Sequence, residues 1–538
     1  MLARHELFIS HSNKDKALAE ELCAELELRG FQCWIAPRNI EPGAEYSQAL
    51  NAAISNASIF LLVLSTNASQ SRHVRRELEV ADRKGIPILP LRVENTNLFE
   101  NLDYFVSTQQ WYDALSRPLA SNLGALEEAL RNRLGDPESA RLWKELGGPL
   151  ADRYAVQRPR ALLSLDGGGV RALITVEILA RMEELLAAQS TNSSTFRLCD
   201  YFDFVAGAGT GGLIAIALAR GKSTREVLAF FVANASDLFG KEVRPLHSFF
   251  QSTIPSPSSR LEEGLGDLIG RESTLSPESL RCLVMVLMRN PTSNAPWATT
   301  NNPLAKYNDP RRPDSIRRFP LLPLARASMT WSPLANPEIV NYRDANSRFL
   351  FSDGTFTPYA NPAFVLYQTA TSEGYRLKWN RGERNLLLVS VGSGAIGPAQ
   401  REAGISPTLE ELLVPFMNIT AMDQDIKCRT VGRCIHGGLI DREVGDLIPR
   451  ERDGQIVAPS KDTGREFTYV RYQVDLAPAG LAALGGNDPH VCDPERTFDL
   501  RSQSDLESLR DIGRLAANAV SEEHFSAVRI PTLLSSGV

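Results

Sequence analysis

Through its first hundred residues the chain alternates short apolar runs with amphipathic stretches. Leu7–Ile9 predicts a strand, and Asn13–Leu28 a helix with Ala17, Leu18, Leu22 and Leu26 on one face, stopped by Gly30. Gln32–Ile35 predicts a second strand, followed by a Pro/Gly-containing loop from Ala36 to Gly43. Tyr46–Asn56 then reads as helix, Ile59–Leu64 as strand, Val74–Lys84 as helix and Pro87–Val93 as strand. Strands that alternate with helices in this way require crossover connections, and so predict a small parallel sheet.

Farther on, Leu119, Leu123, Leu126, Leu130 and Leu134 recur at helical spacing up to Gly135-Asp136-Pro137. A second apolar face of Leu142, Trp143 and Leu146 precedes Gly147-Gly148-Pro149. This reads as a helical, partly packed connector over residues 116–158, between a first domain at 1–115 and a large one at 159–538. In the large domain Arg160–Leu165 predicts a strand ending in DGGGVR (Asp166–Arg171), and Ala172–Leu186 an apolar helix. The segment Phe202–Leu218 (FDFVAGAGTGGLIAIAL) runs from an apolar strand through a turn of small residues into a continuous apolar helix. Ser223–Leu238 predicts a helix capped by Ser223 or Thr224, Leu386–Val391 a buried strand and Asp499–Val520 a final amphipathic helix. Arg244–Arg260, with Phe249 and Phe250, reads as a loop over the pocket.

Composition narrows the classes. At 538 residues, 43% hydrophobic and 23% charged, the chain has the make-up of several globular domains. A net charge of −6 argues against a nucleic-acid partner. No apolar run is long enough to span a bilayer, and MLARHELFIS lacks a secretory pattern, so a cytoplasmic location is expected, with peripheral contact at a membrane as the variant. Seven cysteines fit reduced thiols rather than a disulfide framework. The spacing of Cys428, Cys434 and His436, with His490 and Cys492 beyond, matches no common zinc pattern, so no metal is expected.

The two glycine turns carry the candidate chemistry of the large domain. Three glycines (Gly167, Gly168, Gly169) at a strand-to-helix turn let backbone N–H groups approach an anion, as an oxyanion hole requires. Gly207-Ala208-Gly209-Thr210-Gly211 has the spacing of a nucleophile elbow, G-x-S-x-G, with glycine where the serine would stand. The same turn satisfies G-x-G-x-x-G, but a dinucleotide fold would continue into a strand with an acidic end, whereas Ser223–Leu238 reads as helix.

The blocks FISHSNKD (Phe8–Asp15), CWIAPRNIEPG (Cys33–Gly43), VLSTNASQSRHVRREL (Val63–Leu78) and GIPILPLRVE (Gly85–Glu94) resemble a bacterial Toll/interleukin-1 receptor (TIR) domain. The resemblance implies a flavodoxin-like α/β fold and cleavage of NAD at the nicotinamide–ribose bond. NAD is then a substrate, and no cofactor is implied. Aligned on HVRRE, the family's catalytic glutamate is Glu77, with His73 where a tryptophan often stands. A carboxylate suits this chemistry, because loss of nicotinamide leaves oxocarbenium-like charge on the ribose. Ser10 and His11 follow the first strand, where ligands bind in open α/β sheets; Trp34 offers a stacking face and Arg38 a pyrophosphate partner. The competing reading is that Glu77 belongs to a solvated face with Arg75, Arg76, Glu79, Asp82, Arg83 and Lys84. The resemblance also implies homo-oligomers formed through TIR domains, and a role in immunity against phage.

DGGGVR, the Gly207–Gly211 turn, ARASM (Ala325–Met329) and FSDGTFTPYANPA (Phe351–Ala363) together resemble the patatin-like phospholipases, α/β hydrolases with a Ser–Asp dyad. On that pattern Gly167, Gly168, Gly169 and Arg171 form the oxyanion block, Asp353 is the dyad aspartate and Gly209 occupies the nucleophile position. Thr355 replaces a usual small residue. A membrane lipid or fatty acyl group is the implied partner. Three functions stay open: NAD cleavage with the second domain sensing or binding, lipid acyl hydrolysis regulated by the first domain, and a non-enzymatic signalling scaffold.

Overall fold

The computed structural model describes residues 5–40, 45–94, 111–115, 119–134, 137–190, 192–239, 259–312, 314–329, 337–342, 344–395, 409–457, 464–485, 503–526 and 528. The chain divides into two compact units, Met1–Glu138 and Ser139–Val538.

The first unit is built on a five-stranded sheet of β1 (His5–Ser10), β2 (Cys33–Ile35), β3 (Ala57–Leu64), β4 (Ile88–Arg92) and β5 (Tyr112–Asp113), ordered β2-β1-β3-β4-β5. Every pairing is parallel. Period-two alternation sorts the strand side chains between two cores. Leu7, Ile9, Leu61 and Val63 meet α1 (Lys16–Leu28), while Phe8, Phe60, Leu62 and Leu64 meet α2 (Tyr46–Asn56) and the helix Arg72–Arg83, here α3. Leu119, Leu123, Leu126 and Leu130 complete the α1 side, the last two from α4 (Gly124–Leu134).

The leucine-rich half of the expected connector is therefore part of the first unit. Trp143, Leu150 and Tyr154 belong to a core of the second. The stretch 116–158 is shared between two cores rather than forming an element of its own, because each half buries its apolar face against a different sheet.

The second unit carries a nine-stranded sheet. Its centre is parallel: β6 (Arg160–Leu165) lies between β7 (Phe204–Ala208) and the strand Leu386–Val391, and β7 also pairs Leu283–Asn290. Asp344–Asp353 and Ala295–Thr300 pair antiparallel with Leu283–Asn290. Helices cover both faces. The helix α5 (Thr210–Ala219) is buried along all ten residues, which explains its unbroken apolar sequence. Each large side chain so buried contributes roughly 1.5–3 kcal/mol.

The base of β7 is held by charge. Asp203 is fully buried, and Arg153, Arg158 and Arg160 reach its Oδ1 at 3.1, 2.6 and 3.2 Å. Burial opposes ionisation, and the three arginines overcome it, holding the Asp203 carboxyl below its ordinary range.

The helix expected over Ser223–Leu238 breaks into Thr224–Ala233 and Ala235–Phe239, the first opened by a Ser223/Glu226 capping box. The expected loop from Arg244 to Arg260, with Phe249 and Phe250, lies almost wholly outside the described residues, as do His490 and Cys492. The six described cysteines are free and buried. Among the described residues there is no group of three or more His, Cys, Asp or Glu able to hold a metal, and no helix long and apolar enough to cross a membrane.

Candidate functional site

In the first unit Glu77 meets Ser10 at the carboxyl end of β1. Val74, Leu78 and Ala81 bury one face of α3, and Glu77 shares it. Its carboxylate Oε2 accepts a 2.6 Å hydrogen bond from Ser10 Oγ, the last residue of β1. Burial pushes the Glu77 carboxyl up to about 7, against the opposing effect of the Ser10 bond. The neighbours Arg75 and Arg76 remain exposed. Glu77 is thus not a member of the solvated face: one helical step turns it inward.

Trp34 stands on the same side of the sheet, in register with Phe8 and stacked on it at 5.1 Å. Tyr46 at the start of α2 is close enough that, after burial, the Glu77 charge raises its hydroxyl pKa. Sequence reading had no signal for Tyr46, since proximity across three elements leaves no spacing pattern. Arg38 and His11 are not brought to this cluster. Arg38 Nη1 donates to Glu27 Oε2 at 3.1 Å, on α1. His11, its pKa lowered by burial, feels Asp15, Glu20 and Lys16 at the start of that same helix. Asp15 in turn accepts from Ser65 Oγ at 2.5 Å and Asn67 Nδ2 at 2.8 Å, tying the ends of β1 and β3.

In the second unit β7 turns into α5 through Gly209, whose φ of +55° and ψ of −132° define the turn. That conformation is costly for a residue with a Cβ. Gly207 and Gly211 are needed for packing. A Cβ on Gly207 would strike the Gly211 backbone, and one on Gly211 would lie 2.5 Å from the Leu165 carbonyl oxygen. Close helix–strand approach, rather than a dinucleotide, accounts for this glycine pattern.

The DGGGVR turn packs beside it. The Gly167 N–H is spent on the Ala360 carbonyl at 3.1 Å. Gly168 and Gly169 N–H donate to no described residue, so these two, without Gly167, are the available oxyanion donors. Arg171 is a brace rather than a donor to the hole: Nη1 bonds the Gly394 carbonyl at 2.8 Å and Nε the Gly168 carbonyl at 3.3 Å. Burial lowers its pKa to about 10. The base of the turn is locked by Asp166, which accepts two hydrogen bonds from Arg471 at 2.9 and 2.6 Å.

Asp353, at the end of its strand, is buried, and burial raises its carboxyl to about 7 against two hydrogen bonds from Thr355. Thr355 Oγ1 donates to Asp353 Oδ1 at 2.6 Å, and Thr355 N–H donates to the same oxygen at 2.7 Å. A Cβ on Gly209 would lie 3.2 Å from Asp353 Oδ1 but only 2.5 Å from Thr355 Oγ1. The elbow, the oxyanion turn and the aspartate thus converge on one point, and the Thr355 hydroxyl occupies it. The sequence marked Thr355 as unusual, but only the three-dimensional arrangement gives it a place.

Residues 7–127 match the TIR domain family, and residues 163–367 the Patatin-like phospholipase family. The chain joins a TIR domain to a patatin-like phospholipase domain. A cGAMP-activated phospholipase of Escherichia coli (strain TW11681) is 34% identical over 174 residues, 32% of this chain and 46% of that protein. A cGAMP-activated phospholipase of Vibrio cholerae is 32% identical over 153 residues, 26% of this chain and 42% of that protein. The chain thus spans less than half the length of these curated relatives. Among solved structures, human GIVD cytosolic phospholipase A2 covers 73% of the chain and is itself covered over 64%, at 12% identity and a TM-score of 0.34. The TIR match runs past residue 115 into the leucine-rich helix, in line with the core that helix completes.

Proposed function

We propose that the TIR domain cleaves NAD to nicotinamide and ADP-ribose, or a cyclic form of it, as the output of an antiphage immune effector. The Glu77–Ser10 pair carries this reading. A half-buried carboxylate, fixed by one hydrogen bond at the carboxyl edge of a parallel sheet, is suited to face the ribose as the C1′–N bond breaks. The bonding pair leaves with nicotinamide, the carboxylate stabilises the cationic sugar, and water closes the reaction by losing a proton. Trp34 and Tyr46 are the aromatic faces nearest to pack the substrate. In this reading the patatin-like domain, with no serine at its elbow, binds a lipid acyl group and takes part in sensing or assembly. The relatives' name makes cGAMP the activating ligand to try first.

A second reading, lipid acyl hydrolysis by the patatin-like domain, is favoured by one observation. The elbow backbone, the Gly167 end of the oxyanion turn and Asp353 still converge around residue 209.

The test is product analysis of the whole chain, with and without cGAMP, supplied separately with NAD and with phospholipid vesicles. Free nicotinamide supports the first reading and free fatty acid the second. Neither product under either condition leaves a binding scaffold.

A further inference from the structure

Residue 209 has no oxygen to acylate, so any hydroxyl serving this site comes from elsewhere. Among the described residues, four hydroxyls lie at the convergence of the elbow and the oxyanion turn. Ser328 Oγ donates to the Gly209 carbonyl at 2.5 Å, on the structural side of the turn. Ser393 Oγ donates to the Gly167 carbonyl at 3.1 Å. Thr210 Oγ1 has no hydrogen-bond partner among the described residues and therefore no base. Thr355 Oγ1 alone of the four bonds a carboxylate, Asp353, at 2.6 Å. It also lies in contact range of both functional turns, since a Cβ on Gly167 or on Gly209 would collide with it.

We infer that Thr355 is the acyl-accepting hydroxyl of the patatin-like domain, with Asp353 as its base, in place of a serine at position 209. This rests on the acyl-hydrolase reading above. The substrate class is an ester of a fatty acid, as in a glycerophospholipid. Asp353 takes the Thr355 proton as Oγ1 forms a bond to the ester carbonyl carbon, and the carbonyl oxygen becomes an anion held by the Gly168 and Gly169 amides. The ester C–O bond then breaks, and its alkoxide leaves with the proton from Asp353. Water, deprotonated by Asp353, attacks the acyl-threonine, and Oγ1 takes that proton back as the fatty acid departs. The sum is ester plus water to alcohol plus acid. The absent side chain at residue 209 leaves the room that Thr355 takes; a serine there and Thr355 in this rotamer exclude each other. Burial keeps Asp353 titrating near neutral pH, matched to a base working there.

The whole chain is treated with an alkyl fluorophosphonate, on which an active hydroxyl forms a P–O bond as fluoride leaves, and the adduct is mapped by peptide mass spectrometry. Hydrolysis of a p-nitrophenyl ester and of phosphatidylcholine vesicles is followed in parallel. The expected adduct is on Thr355. Labelling and ester hydrolysis should fall at least tenfold in Thr355→Val and in Asp353→Asn, and be retained in Thr355→Ser. An adduct on Thr210, Ser328 or Ser393, or hydrolysis undiminished in a folded Thr355→Val, overturns the role of Thr355 and leaves acyl hydrolysis standing. No adduct and no fatty acid from the parent chain overturns both. Should Thr355→Val fail to fold, the mapped adduct on the parent chain decides alone.

Discussion

Ser10 Oγ donates a 2.6 Å hydrogen bond to Glu77 Oε2, joining the end of β1 to the inward face of α3. The bond favours the ionised carboxylate, whereas burial favours the neutral acid, and burial prevails, bringing the group to about 7. Nicotinamide release should therefore rise with pH through an inflection near 7. Removing the donor in Ser10→Ala takes away the stabiliser of the charged form and raises the Glu77 pKa. A hydrogen bond to a charged group contributes about 1.5–3 kcal/mol when well formed, so a shift of about one to two pH units upward is expected. A pH–rate profile of the variant that superimposes on the parent's would remove Ser10 from the site.

Glu77→Gln keeps shape and hydrogen-bonding capacity but lacks the anion proposed to face the ribose. Nicotinamide release should drop by at least about a hundredfold, the lower range of a positioned acid–base group. The fold should be unharmed at pH 8. A carboxyl with a raised folded pKa weakens the native state as pH rises from its unfolded value, near 4, through 7, and the neutral amide removes that slope. Thermal melts at pH 6 and 8 check this: the parent should lose more stability between them than the variant.

Trp34 and Tyr46 leave the Glu77 carboxylate on a single unit, while Arg38 is held by Glu27 on α1 and contributes nothing to it. Arg38 so held is not free to meet the NAD pyrophosphate, and on the proposed reading a neighbouring copy completes the site. Nicotinamide released per molecule should increase with protein concentration. Constant specific activity over a thousandfold dilution would show that a single copy is sufficient.

Gly209→Ser alone should be destabilising, since it adds a Cβ to a φ of +55° and sets that atom 2.5 Å from Thr355 Oγ1. Overpacking of this kind costs about 1–3 kcal/mol. Thr355→Gly opens the space, so Gly209→Ser/Thr355→Gly should be more stable than the two single losses add up to. A double-mutant cycle from urea titrations reads that coupling directly, and strict additivity would mean that the two positions do not share one volume.

Asp203→Asn removes the anion from beneath three arginines. Breaking a buried ion network by taking out one partner costs about 3–5 kcal/mol, because the remaining charges stay desolvated. The urea midpoint of the second unit should fall accordingly, while nicotinamide release by the TIR domain, which does not contain this cluster, should persist. An unchanged midpoint would mean that water replaces the carboxylate at no cost.

Local pattern determined much of this protein. Tyr46–Asn56, Arg160–Leu165 and Leu386–Val391 stand at the bounds their periodicity marks, and the order of helices and strands already required a parallel sheet in the first unit. Side-chain alternation and helix caps act over a few residues, so a linear reading captures them. The glycine turns were legible for the same reason: only residues without a Cβ allow so close an approach of helix to strand. What tertiary structure alone decided are the relationships that cross long spans of sequence. Glu77 sits among arginines and acids along the chain, yet the helix phase turns it to Ser10, 67 residues away. Arg38 and His11 follow the same sheet edge but lie toward α1, because a one-residue step in or after a strand reverses the face. The leucines of the connector were visible, but which core they fill depends on where the sheets stand. Thr355 reads as a small-residue replacement until folding sets its hydroxyl against residue 209. Proximity and burial set its partners and the pKa of Asp353, and neither is a property of local sequence.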